Sequence, residues 1–171
     1  PDYAPIEHIR DLPEHRAALD GTIHGIEAGA AINDQTRQIL ENNGIEDFRV
    51  VASSEPAMIA ALRRAISQEE PFVLTGWKPH WKFGRWDLKI LADPDNIFGE
   101  SETVSTIARQ GLEEEMPEVY QFLDEFDWFQ VDLGQVLVWN QEGMDPEDSA
   151  EKFVDENTDL INSAMPGGMS I

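Results

Sequence analysis

Histidine, hydroxyl, carboxylate and indole side chains are the groups in this chain that could do chemistry. The histidines are His8, His15, His24 and His80. No two of them stand at metal-ligand spacing, a His-Glu-x-x-His motif is absent, and there is no cysteine, so no metal set and no cofactor is expected. Thr75 and Ser53-Ser54 sit near the ends of apolar runs, but the G-x-S-x-G elbow of a serine nucleophile is missing. Among 34 Asp and Glu residues the spacing singles out no acid–base pair. The run Gly25-Ile26-Glu27-Ala28-Gly29-Ala30-Ala31 loosely resembles a dinucleotide loop, yet it lacks the third glycine and the acidic partner. Tryptophan is the more informative residue. Trp77, Trp81 and Trp86 place three indoles within ten residues. An indole face attracts a quaternary ammonium group by about 0.5–2 kcal/mol. Packing is the ordinary work of Trp, and it is the reading for Trp81 and Trp86. Trp77 follows an apolar run and a glycine, where a strand end could present it to a small ligand.

The elements that must position these groups follow from the pattern. Residues 1–20 read as a connector with a short helical piece at Ile9-Arg10-Asp11-Leu12, closed by the Asp20-Gly21 turn. Thr22–Glu27 reads as a strand, the small-residue run as a turn, and Ile32–Asn43 as a helix with Gly44 at its C-terminal end. A strand, small turn and helix in this order bring backbone N–H groups to a place where an anion can meet them. Phe48–Ala52 is a second strand. Ser54 and Pro56 start a helix that runs to about Ser67, with Met58, Ile59, Leu62 and Ile66 on one face. Phe72–Thr75 is a third strand. The β-α-β-α-β order predicts a mainly parallel open sheet. Trp86–Leu91 is expected to be extended. Beyond Ser101 helices are expected: one from Ser101 to Gly111 with Val104, Ile107 and Ala108 inward, then others opened by Pro117, Asp132 and Asp145-Pro146. The last seven residues should fray.

Composition narrows the partners. The net charge of −22 disfavours nucleic acid, whose phosphates need a basic face. The acidic residues are spread along folded-looking segments, which is read as a surface adapted to high salt, an ordinary acidic protein being the alternative that composition leaves open. No EF-hand loop is present. No run of 18 apolar residues exists to span a bilayer. The chain begins at Pro1 and not Met, and is expected to be a trimmed or mature product.

At this point the sequence resembles a family. Gly25-Ile26-Glu27-Ala28-Gly29-Ala30, Ser53-Ser54-Glu55-Pro56-Ala57-Met58, Thr75-Gly76-Trp77-Lys78-Pro79-His80-Trp81 and Asp87-Leu88-Lys89-Ile90-Leu91-Ala92-Asp93-Pro94 occur in this order in substrate-binding proteins of glycine betaine ABC importers, as does Thr106-Ile107-Ala108-Arg109-Gln110-Gly111-Leu112. The resemblance, to the OpuAC-type branch, covers nearly all of residues 6–156. It implies a lobe of a type II periplasmic-binding-protein fold: an α/β ligand-binding lobe over residues 21–100 and a helical segment over 101–171. It further implies that Trp77 is one wall of an aromatic cage for the trimethylammonium group. The backbone N–H groups of Ala31 and Ile32 would meet the carboxylate, with Gly29, Ala30 and His80 as further candidates. The family often has Pro where Ala28 stands and Gly where Ala31 stands, so the loop departs from the common pattern. The family's other cage tryptophans and its carboxylate-binding His lie in a half carrying a Trp-Leu-Pro-x-x-His motif that this sequence does not contain. The chain is therefore expected to be the C-terminal half of such a protein. Its expected partners are the ligand, an ABC permease, and the missing N-terminal lobe, with dimerisation where apolar surface is left uncovered. The expected location is periplasmic or otherwise extracytoplasmic.

The leading reading is thus a solute-binding component that performs no chemistry and works by lobe closure. The alternative is a ligand-sensing domain that uses the same lobe without transport, which a neighbouring kinase or regulator gene would favour. An enzyme comes third, for want of a nucleophile–base set.

Overall fold

The computed structural model of the chain describes residues 1–93, 96, 98–99, 105–127 and 131–168. They form two compact units, one of Pro1–Trp77 with Asp87–Glu100, the other of Lys78–Trp86 with Ser101–Ile171.

The first unit is built on parallel strands. Strand β1 (Thr22–His24) pairs with β2 (Arg49–Val51), Ile23 lying opposite Val50. On the other side of β1, His24 forms a parallel bridge with Leu74. The third run is thus extended and paired, though shorter than the sequence suggested. Alternation along these strands sends Ile23, Val50 and Val73 to one face, where they join Leu40, Ile45 and Phe48 in a core. Helix α1 (Ala31–Asn42) covers this face through Leu40. It ends at Asn43-Gly44, with Gly44 at φ 67°, a conformation that Gly takes without strain. Residues 1–20, expected as a connector, lend Ile6, Ile9, Leu12 and Leu19 to the same core. A 3₁₀ helix, Ile9–His15, is held by the Asp11 carboxylate, which accepts from the N–H groups of His8 at 2.8 Å and Glu7 at 3.1 Å. These two bonds, that from His8 first, lower the Asp11 pKa. The stretch after Trp86 returns to pair at Ala92 with His8.

Helix α2 (Glu55–Gln68) starts as its sequence dictates: the Ser54 hydroxyl accepts from the Ala57 N–H, and Pro56 occupies the first turn. Met58, Ile59, Leu62 and Ala65 are its buried residues. Leu62 buries fully, which removes roughly 2 kcal/mol worth of apolar surface from water.

The second unit is helical. It holds α3 (Trp81–Arg85), α4 (Leu112–Glu115), α5 (Pro117–Glu125), α6 (Leu133–Gln141), α7 (Pro146–Glu156) and α8 (Thr158–Ala164), then a 3₁₀ turn at Pro166–Gly168. Asp132 and Asp145 cap α6 and α7 with their side chains, accepting from Gln135 and Glu147. α3 packs on α6 closely, since a Cβ on Gly84 would lie 3.0 Å from the Gly134 carbonyl oxygen. The expected helix from Ser101 is corrected in part. Ser101–Val104 lie outside the described residues, and 105–109 have no regular structure. Ile107, expected inward, is 94% exposed. A short run with Ser and Thr and few apolar positions has neither the propensity nor the buried stripe to hold a helix. Gly111, at φ 83°, begins α4 where a break was expected.

Candidate functional site

Because β1, β2 and the Leu74 run are parallel, the chain leaves all three at one edge of the sheet. Gly25 N–H donates to Val51 O, His24 N–H to Val73 O and Thr75 N–H to His24 O, each at 2.9 Å. Beyond these bonds come the turn 25–30, Ser53-Ser54, and Gly76-Trp77. Carboxyl ends of parallel strands are where α/β folds hold ligands.

The turn after β1 is clamped by Asn33, which the sequence did not single out, and by Ser53 and Glu27, to which it gave no such role. Asn33, in the first turn of α1, is fully buried. Its Oδ1 accepts from the Ile26 N–H at 3.2 Å, and its Nδ2 donates to the carbonyls of Ile26 at 3.0 Å and Glu27 at 2.9 Å. Ser53 ties the same turn to the end of β2: its N–H donates to Ile26 O, and its hydroxyl to Gly25 O. Glu27 reaches across to α2, its Oε1 accepting from the Glu55 N–H at 2.9 Å. This bond, followed by one to its own backbone, lowers the Glu27 pKa, with desolvation opposing. Asn33, Thr36 and Leu40 form one stripe of α1. A polar residue heading a buried stripe at helical spacing was the available signal for Asn33.

The start of α1 differs from that of α2. Ala30, the N-cap residue, is extended at φ −65°, ψ 130°, and has no side chain to offer. No side-chain cap serves α1 among the described residues. The N–H groups of Ala31 and Ile32 stand at N1 and N2, positions that take no intrahelical acceptor, at the positive end of a 12-residue helix. Ala30 gives its own N–H to Glu27 O. Gly29 sits at φ 92° with open space where a Cβ would be.

Trp77 ends its run in the first unit with 41% of its surface exposed. It thus shares the strand-end edge with the α1 start. Trp81 and Trp86 belong to the second unit and lean on each other, ring centroids 5.5 Å apart. His80 is also in the second unit, buried, its Nδ1 accepting from the Lys82 N–H at 3.2 Å as the cap of α3. That ring nitrogen is committed to the backbone. His24 stacks on Phe72 at 4.0 Å, and desolvation, then the Arg64 charge, lowers its pKa. Among the described residues no group of three or more His, Cys, Asp or Glu is placed to hold a metal ion. No helix among them is long and apolar enough to cross a membrane.

Residues 1–156 match the family model described as the substrate binding domain of an ABC-type glycine betaine transport system. The glycine betaine/carnitine transport binding protein GbuC of Listeria monocytogenes serotype 1/2a (strain 10403S) is 39% identical over 160 residues, covering 92% of this chain and 52% of that protein. The chain thus spans about half the length of this relative. Among solved structures, lactococcal OpuAC in its closed-liganded conformation complexed with glycine betaine is similar at a TM-score of 0.70 and 36% identity, over 96% of this chain and 64% of that one. The glycine betaine, L-proline ABC transporter binding protein ProX from Borrelia burgdorferi follows at 0.68 and 34%, over 98% and 64%. An ABC-transporter choline binding protein in complex with choline gives 0.64 and 27%, over 97% and 60%. These relatives are binding proteins and not enzymes. The α/β lobe expected from the sequence, of the type II periplasmic-binding-protein kind with a parallel sheet and a C-terminal helical segment, is the fold the chain has. The chain belongs to the family of substrate-binding domains of ABC-type glycine betaine transport systems.

Proposed function

We propose that this chain is a ligand-binding lobe of an extracytoplasmic solute receptor that takes glycine betaine or a related quaternary ammonium osmolyte and delivers it to an ABC permease. The observation that carries the reading is the shared edge: an exposed Trp77 leaves the same strand ends as a helix start with no side-chain cap among the described residues. A zwitterion with a bulky cation and a small carboxylate has the matching polarity. Trp77 takes the trimethylammonium as one wall of a cage. The N–H groups of Ala31 and Ile32, with the helix dipole behind them, take the carboxylate. Gly29 and Ala30 shape the approach, and His80 serves α3 instead. A second lobe, corresponding to the length of the relatives that this chain does not match, supplies the remaining walls, and closure of the two lobes commits the ligand. The protein performs no reaction on it. The acidic surface suits a salt-rich setting in which such osmolytes are taken up.

Calorimetric titration of glycine betaine into the protein at its full natural length tests this. Saturable binding is expected. Failure to bind glycine betaine, proline betaine, choline and carnitine alike would remove the assignment.

A further inference from the structure

The hydroxyl of Thr75 is buried, with the residue 5% exposed, and Oγ1 has no hydrogen-bond partner among the described residues. An orphaned hydroxyl is costly to bury and is uncommon without a reason. Its position supplies one. His24 lies opposite Leu74 in a parallel bridge, so the next pair in register is Gly25 opposite Thr75. Alternation places Thr75 on the face of Val73, which packs on the core beneath α1. Gly25 marks what stands on that face at this level. A Cβ there would lie 2.4 Å from Asn33 Oδ1, and Asn33 belongs to the first turn of α1. The Thr75 side chain therefore stands beside the first turn of α1. Asn33 does not satisfy it: its amide bonds to the backbone of Ile26 and Glu27, and no bond forms between it and Oγ1.

We propose that the Thr75 hydroxyl is a further donor to the ligand's carboxylate, completing with the Ala31 and Ile32 N–H groups a three-point anion subsite at the start of α1. This rests on the functional reading above and adds a side chain to a site otherwise made of backbone. An extended backbone leaves Thr more than one χ1 rotamer through which to present the hydroxyl to the ligand. The hydroxyl then exchanges an unpaired state for a bond to a charged acceptor, the stronger kind of hydrogen bond.

The test is glycine betaine binding by Thr75→Val and Thr75→Ser in the full-length protein, with melting of the ligand-free forms alongside. Val keeps the shape and removes the hydroxyl. Thr75→Val is expected to lose about tenfold or more in affinity. Thr75→Ser is expected to retain most of it, and neither is expected to lower the ligand-free melting temperature. Equal affinity of Thr75→Val and the unchanged protein overturns the proposal while leaving the functional reading intact. A loss that Thr75→Ser shares in full overturns it as well. If the unchanged protein binds none of glycine betaine, proline betaine, choline and carnitine, both fall; if it binds choline alone, which has no carboxylate, only this proposal falls. Should Thr75→Val not fold, a structure of the unchanged protein with glycine betaine decides. Oγ1 within hydrogen-bonding reach of a carboxylate oxygen supports the assignment, and a separation beyond about 3.5 Å overturns it.

Discussion

Asn33 lies directly over Gly25: a Cβ added to the glycine would come within 2.4 Å of Asn33 Oδ1 and 2.9 Å of its Cγ. Asn33 cannot swing aside without breaking its bonds to Ile26 and Glu27. Gly25→Ala is therefore expected to cost roughly 1–3 kcal/mol, the range for forcing an atom into a packed site. Asn33→Ala should cost a similar amount for a different reason. The carbonyls of Ile26 and Glu27 keep the Ser53 and Ala30 N–H groups, so the Ile26 N–H is the group left orphaned, at about 1–3 kcal/mol. The two changes should couple, Gly25→Ala costing less once Asn33 is Ala. Urea unfolding of the double-mutant cycle measures this. Strict additivity would show that the contact is not tight.

Trp77→Ala in the full-length protein should lower betaine affinity by about one to two orders of magnitude, from lost cation–π attraction and burial. Since Trp77 is 41% exposed in this chain, the melting temperature without ligand should move little. The opposite pattern, a large stability loss with affinity unchanged, assigns Trp77 to packing. The 171-residue chain alone should show no sub-millimolar affinity, because one wall does not make a cage.

His24 gives a pH dependence with a definite sign. Its folded pKa lies below the ordinary 6.5 because burial disfavours the imidazolium, with Arg64 adding repulsion. Above that value both folded and unfolded forms are neutral and His24 does not bear on stability. Below it the unfolded chain takes up a proton more readily than the folded one, so stability falls as pH drops from 6.5 towards the folded pKa. Melting temperatures taken from about pH 7.5 to about pH 5 should fall, and less so in His24→Phe. Equal slopes in both proteins would assign the fall to other groups.

A net charge of −22 on 171 residues predicts salt dependence. At low ionic strength the carboxylates repel over a Debye length near 10 Å or more. The denaturation midpoint should rise as sodium chloride is increased from about 0.05 M to about 1 M. A midpoint that does not move would argue that the charges are spaced widely enough to be harmless.

Much of the helical framework of both units was legible because its signals are local. Ser54 and Pro56 announced α2, Asp132 and Asp145 announced α6 and α7, and Gly44 closed α1, each through a bond within a few residues. The shared edge of the candidate site followed from strand order alone. What stayed hidden depends on distant partners. Asn33 reads as an ordinary helix residue until Ile26 is folded against it, seven positions away in sequence. Glu27 reads as a solvated carboxylate until β2 delivers Glu55, 28 positions on. Ile107 shows the converse. An apolar letter in a helical spacing carried no information about whether anything would cover it.

The Glu27–Glu55 bond has one more consequence. At this edge two helices begin, and both present positive ends. The protein lays one of its own carboxylates on the start of α2, adds the Ser54 hydroxyl, and leaves the start of α1 without either. An anion arriving from solution thus meets a built-in competitor at one helix and none among the described side chains at the other. On the proposed function Glu27 is a placeholder: by occupying the start of α2 it leaves a carboxylate ligand the start of α1. Glu27→Ala would leave two berths of similar polarity, and the orientation of a small zwitterion would cease to be unique.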